Sequence, residues 1–77
     1  MQTQISRYSM VIEWSEENQA YLVILPEWAE RVIMPVTHGA SYDEAVKNAQ
    51  EVLTLLVSSA LSDGEALPTP KLYAESV

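Results

Sequence analysis

"THGASYDEAVKNAQEVLTLLV", residues 37–57, decides how this chain folds. Ser41 followed three positions later by Glu44 is the capping-box pattern, in which each side chain satisfies a backbone N–H that the start of a helix leaves free. Asp43 and Glu44 also suit the positive end of a helix dipole. From there Ala45, Ala49, Val52, Leu53, Leu56 and Ala60 recur at three- and four-residue steps, which draws one apolar stripe along a helix. Asp43 and Lys47 add an i,i+4 pair in the favourable order, worth about 0.3 kcal/mol. Gly64 is placed to end the helix, and Pro68 and Pro70 prevent its continuation. A helix from Ser41 to about Ser62 would be roughly 30 Å long.

Upstream of this helix the period changes from near four to two. In "RYSMVIEW", residues 7–14, Tyr8, Met10, Ile12 and Trp14 share one face of a strand, opposite Arg7, Ser9, Val11 and Glu13. The polar "SEENQ" that follows is a turn, and "AYLVIL", residues 20–25, is apolar on both parities, as in a strand buried on both faces. Pro26 ends it. "RVIMPV", residues 31–36, reads as a third strand whose Pro35 belongs at an edge, because proline has no N–H for the ladder. The segment 37–41 is then the turn from sheet to helix. "KLYAESV", residues 71–77, is either a short fourth strand or a frayed tail.

The predicted architecture is therefore α+β: a three-stranded antiparallel sheet with one long helix, ordered β-β-β-α with a possible short fourth strand. Seventy-seven residues make a single domain, residues 1–77, with its core over about 7–70 and frayed ends at 1–6 and 71–77. One helix covers one sheet face, while Tyr21, Val23 and Leu25 are expected to load the other. Burying three such side chains is worth roughly 5 kcal/mol as an upper figure. A second copy or another protein is expected to cover that face, making a dimer or tetramer. Tyr21, Val23 and Leu25 are the candidate interface residues, with Trp28 beside them in a loop after a proline.

Composition narrows the chemistry. There is no cysteine, which removes disulfides and thiolate metal sites. Eleven acidic against four basic residues give a net charge of −7, a surface that repels phosphate backbones and favours basic partners. The start, "MQTQISRYSM", has no apolar run behind a basic region, and no stretch approaches the ~20 apolar residues of a membrane helix. A cytoplasmic domain is expected.

His38, the single histidine, would need an orienting carboxylate and a nucleophile to act as a base, and the better reading is a polar residue bonding to backbone at a loop mouth. A magnesium nuclease needs several carboxylates converging from a sheet, and Glu13 is the only acid inside the three predicted strands. Trp14, Tyr21 and Trp28 could stack on bases, but Arg7, Arg31, Lys47 and Lys71 are too few and too dispersed for a basic groove. Neither catalytic, cofactor nor metal residues are expected.

Taken in order, these pieces resemble the HicB family of antitoxins: a Tyr-led strand, an acidic hairpin, Tyr21 opening a second strand that ends at Pro26, a helix start carrying Gly39, Ser41, Glu44 and Ala45, and an exit with Gly64, Pro68 and Pro70. The likeness spans about residues 7–70. It implies a partial RNase H-like β-β-β-α-β fold without the nuclease site. It also implies that the chain masks the active site of a small basic HicA-type toxin that cleaves mRNA. The family usually has a glycine-containing turn after the proline, where this chain reads "EWAERVIMPV". Many members continue into a DNA-binding domain that has no counterpart in these 77 residues, so direct nucleic-acid binding is not expected. The other reading that the residues leave open is an orphan scaffold or ligand-binding protein that assembles with itself.

Overall fold

The computed structural model describes residues 7–72. It has the expected α+β order: β1 (Val11–Ser15), β2 (Ala20–Ile24), a one-turn 3-10 helix at Pro26–Trp28, β3 (Thr37–Gly39) and α1 (Tyr42–Ser62). The strands form one antiparallel sheet in the order β1-β2-β3, with β2 in the centre. Its sequence is apolar on both parities, yet α1 covers only the face that carries Tyr21 and Val23, while Leu22 and Ile24 stay half-buried on the other; the strand is therefore not covered on both faces as its sequence suggests.

Register fixes which side chains meet the helix. Ile12 pairs with Val23, Trp14 with Tyr21, Tyr21 with Gly39, and Val23 with Thr37. Val23 is fully buried, so this row of positions is the face under α1. Val11, Glu13, Leu22, Ile24 and His38 take the opposite parity and face away. Tyr8, Val23, Leu25, Trp28, Ala45, Ala49, Leu53, Val57 and Ala60 make the core. The helical stripe is the predicted one with Val57 added to it.

The third strand is displaced from its expected place. Residues 31–36 do alternate, with Val32, Met34 and Val36 half-buried against the core and Ile33 and its odd-numbered neighbours exposed. They nevertheless form no ladder. The 3-10 turn after Pro26 carries the chain away from β2, with Val32 N–H held by Trp28 C=O at 3.0 Å. The Met34 sulfur accepts from Leu25 N–H at 3.4 Å, so a side chain meets a donor that a strand partner would otherwise satisfy. The chain returns to β2 only at Val36, whose N–H donates to Val23 C=O at 3.0 Å, and the strand proper is Thr37–Gly39. The expected turn is thus the third strand, and the expected third strand is a packed loop. As to a fourth strand, Lys71 and Leu72 belong to none, and residues 73–77 lie outside the described residues, as does the expected fraying at 1–6.

Both helix ends are closed as their sequence requires. Ser41 Oγ accepts from Glu44 N–H at 3.2 Å, and Glu44 Oε1 reaches back one residue beyond the cap to Ala40 N–H at 2.7 Å. Ser41→Ala is expected to cost about 1 kcal/mol, read as a fall of roughly 4–8 °C in Tm. At the other end Gly64 has a φ of 74°, with Gly64 N–H on Leu61 C=O and Glu65 N–H on Ala60 C=O. This is the Schellman arrangement, for which glycine avoids a left-handed side chain. The Asp43–Lys47 pair does not close. Among the described residues the ion pair formed is Arg31–Glu65, at 3.9 Å on the surface.

After the helix the chain runs back along the body without secondary structure, fastened at several points. Tyr8 Oη donates to Pro68 C=O at 2.7 Å, and Arg31 Nη2 donates to Ala66 C=O at 2.8 Å. Glu27 accepts from Ser9 N–H and from Lys71 N–H, the two bonds to its Oε2 measuring 3.1 and 2.8 Å. Desolvation is the largest influence on this carboxyl and raises its pKa. The N–H groups of Lys71, Glu27 itself and Ser9 together outweigh that, and the net shift is downward. A carboxyl whose pKa is depressed on folding stabilises the folded state above its unfolded value, and that contribution is lost as pH falls through the folded value. Stability should therefore decline as pH drops below about 4.5, and Glu27→Gln should flatten this part of a Tm-against-pH curve.

Candidate protein-binding surface

The four residues expected at an interface separate in the structure. Val23 and Leu25 are fully buried under α1, and Trp28 is 2 % exposed. These three are core residues, which corrects their assignment. The error lies in the face: Tyr21, Val23 and Leu25 share the helix side of β2, and it is Leu22 and Ile24 that face away. Trp28 is drawn inward because the 3-10 turn beginning at Pro26 aims its ring at Tyr8, with centroids 5.6 Å apart, and Arg31 lies over the same ring at 5.5 Å. Trp28→Ala and Val23→Glu consequently test folding before they test binding.

Tyr21 alone of the four reaches the surface, and it does so in company. Its ring stands edge-on to Trp14 at 5.0 Å and tilted against Tyr42 at 4.5 Å. Trp14 is 45 % exposed and Tyr42 61 % exposed, so the row presents ring area to solvent. Three elements build it. Trp14 and Tyr21 are directly paired across β1 and β2, and Tyr42 opens α1 immediately after the cap. Gly39 pairs with Tyr21 on its other side and has no side chain to cover that ring. The Trp14 indole N–H donates to Glu16 Oε2 at 2.9 Å, which fixes a carboxylate beside the row. Gln19, at a φ of 52°, closes the same hairpin and donates to Glu16 C=O at 2.7 Å. Tyr42 was missed in the sequence because its partner, Tyr21, is 21 positions away. The available signal was an aromatic at the first helical position, where the side chain projects back toward the sheet edge.

On the far face Glu13, Leu22 and His38 lie side by side across the three strands, with Val11 and Ile24 in the adjacent row. His38 has an exposed side chain, and its backbone carbonyl accepts from Asn48 Nδ2 at 2.7 Å. Its role at the strand-to-helix junction is thus carried by the main chain. No three His, Asp or Glu residues gather into a metal-holding group among the described residues. The motif residues take structural places: Pro26 begins the 3-10 turn, Ala45 is buried against Gly39, and Pro68 receives Tyr8. Among the described residues no helix is long and apolar enough to cross a membrane.

No protein-family model matches the chain, and neither a curated protein nor a solved structure matches it.

Proposed function

We propose that this chain is a non-enzymatic protein-binding module of the HicB kind, acting in the cytoplasm. On this reading it neutralises a small basic HicA-type toxin by occluding the active site with which that toxin cleaves mRNA, and its β-β-β-α order is the partial RNase H-like fold of that family. The observation that carries the reading is the placement of charge. The chain has a net charge of −7, and none of its described charged side chains is buried, so the acidic field lies on the outside where a basic partner meets it. Such a field accelerates encounter and selects against acidic competitors.

Affinity capture of the tagged protein from its host, followed by an RNA-cleavage assay on whatever is recovered, tests the reading. Recovery of a small basic ribonuclease that loses activity at a fixed ratio to this chain, with binding weakened by salt, is the expected result. Recovery of only further copies of the chain, or of a nuclease that it leaves active, would overturn it.

Self-assembly without a toxin is the second reading, favoured by the far face of the sheet. Val11, Leu22 and Ile24 stand there with no described element packed over them. A dimer or tetramer through this face would fit either reading; light scattering on Leu22→Glu, at a position outside the core, reports whether the face is used.

A further inference from the structure

We infer that the Trp14–Tyr21–Tyr42 row, with Glu16 at its end, is a seat for an arginine side chain of the basic partner. The inference rests on the basic-partner reading above and adds the place and the chemistry of contact.

The row is unusual ground for a domain surface. Aromatic rings are normally drawn into the core, and this small domain buries Tyr8 and Trp28 in that way. Trp14 and Tyr42 instead keep 45 % and 61 % of their area in water, although they flank a third ring at contact distance. The cost of exposing them is recovered when a ligand covers them. Ring faces carry negative electrostatic potential, so among charged groups they attract cations. The Glu16 carboxylate is pinned to the indole N–H at 2.9 Å and adds a full negative charge at the same place.

A planar guanidinium matches this combination better than an ammonium does. It stacks on an indole or phenol face while its N–H groups reach sideways to a carboxylate in the plane of the stack. The molecule already makes such a contact internally, with the Arg31 guanidinium 5.5 Å from the centre of the Trp28 ring. An arginine from outside meets the same chemistry at Trp14, over whose ring no guanidinium lies among the described residues. Nucleic acid is disfavoured as the occupant of these rings because Glu16 and the net charge of −7 would repel its phosphates.

The test is a titration of isotope-labelled protein with a short acetylated peptide bearing arginines spaced by Gly-Ser, alongside the same peptide with citrulline in place of each arginine. Citrulline keeps the shape and removes the charge. The expected result is movement of the Trp14 indole N–H resonance with the arginine peptide and not with its neutral counterpart. The buried Trp28 resonance should stay in place and report that the fold is intact. Tyr42→Ala should weaken binding about tenfold, and Glu16→Gln several-fold. Equal response to both peptides, shifts confined to the far face around Leu22 and Ile24, or unchanged affinity in Tyr42→Ala would each overturn the seat. Failure here is separable from failure of the proposed function. A Tyr42→Ala, Trp14→Phe protein that still silences the basic ribonuclease sinks the seat alone, whereas a working seat in a chain that inhibits no RNA cleavage sinks the antitoxin reading alone.

Discussion

Trp28→Ala is expected to lower Tm by at least about 12 °C, because truncating a buried tryptophan costs about 3–5 kcal/mol in a domain of this size. Total stability for 77 residues is on the order of 4–12 kcal/mol, so the loss removes a large share of it. The ring is the largest fully buried side chain and joins two parts of the molecule that share no ladder, the strand-leading Tyr8 and the loop with Arg31. Trp28→Phe separates packing from polarity. The indole Nε1 is buried without a partner among the described residues, so phenylalanine removes a donor that they leave unsatisfied while keeping an aromatic surface against Tyr8. That variant is expected to remain folded. Thermal unfolding followed by circular dichroism checks both, and a Trp28→Ala protein melting within a few degrees of the parent would contradict the packing described here.

Gly39→Ala is expected to cost about 3 kcal/mol, the upper end for overpacking. A Cβ there would lie 2.8 Å from Ala45 Cα and 2.9 Å from the Glu44 carbonyl carbon, and would also collide with Ala45 N. These are backbone atoms of the first helical turn, which have no rotamer through which to yield. Relief requires α1 to lift off β3, with loss of the Asn48 bond to His38 C=O. Gly64→Ala is the control. It meets open space and suffers only from its φ of 74°, so about 1 kcal/mol is expected. Denaturant midpoints at unchanged slope measure both. Equal, mild effects would mean that the helix start does not rest on the strand as described.

The helix was legible in the sequence to within a residue at each end, because Ser41, Glu44 and Gly64 act on backbone groups two to four positions away. The hairpin was legible too, since its partners are close along the chain. Three features were not. Residues 31–36 carry a period-two pattern, but alternation reports only which side chains meet the core, and the ladder is decided by whether the backbone returns beside β2. The face of β2 was misassigned because both its parities are apolar, which leaves nothing local to say which one the helix covers. The aromatic row suffered from the same limit: Trp14 and Tyr21 were visible as aromatics, while the meeting with Tyr42 depends on β3 and the junction bringing α1 to that corner.

The carboxylate of Glu27 holds Ser9 and Lys71, residues from the two outer portions of the described chain, on a single oxygen. A tension applied between residues 7 and 72 would therefore load this side chain together with the Tyr8–Pro68 and Arg31–Ala66 bonds before it parted the strands and the helix. Under such a pull the domain should yield in two steps, a small early extension as the closing segment peels away and a later one as the sheet and helix part. At low pH, where Glu27 takes up a proton, the first step should come at a smaller force while the second keeps its own threshold. The fold is in this sense a ring closed by three side chains, Tyr8, Arg31 and Glu27, and the acid among them makes its resistance to being drawn open depend on pH.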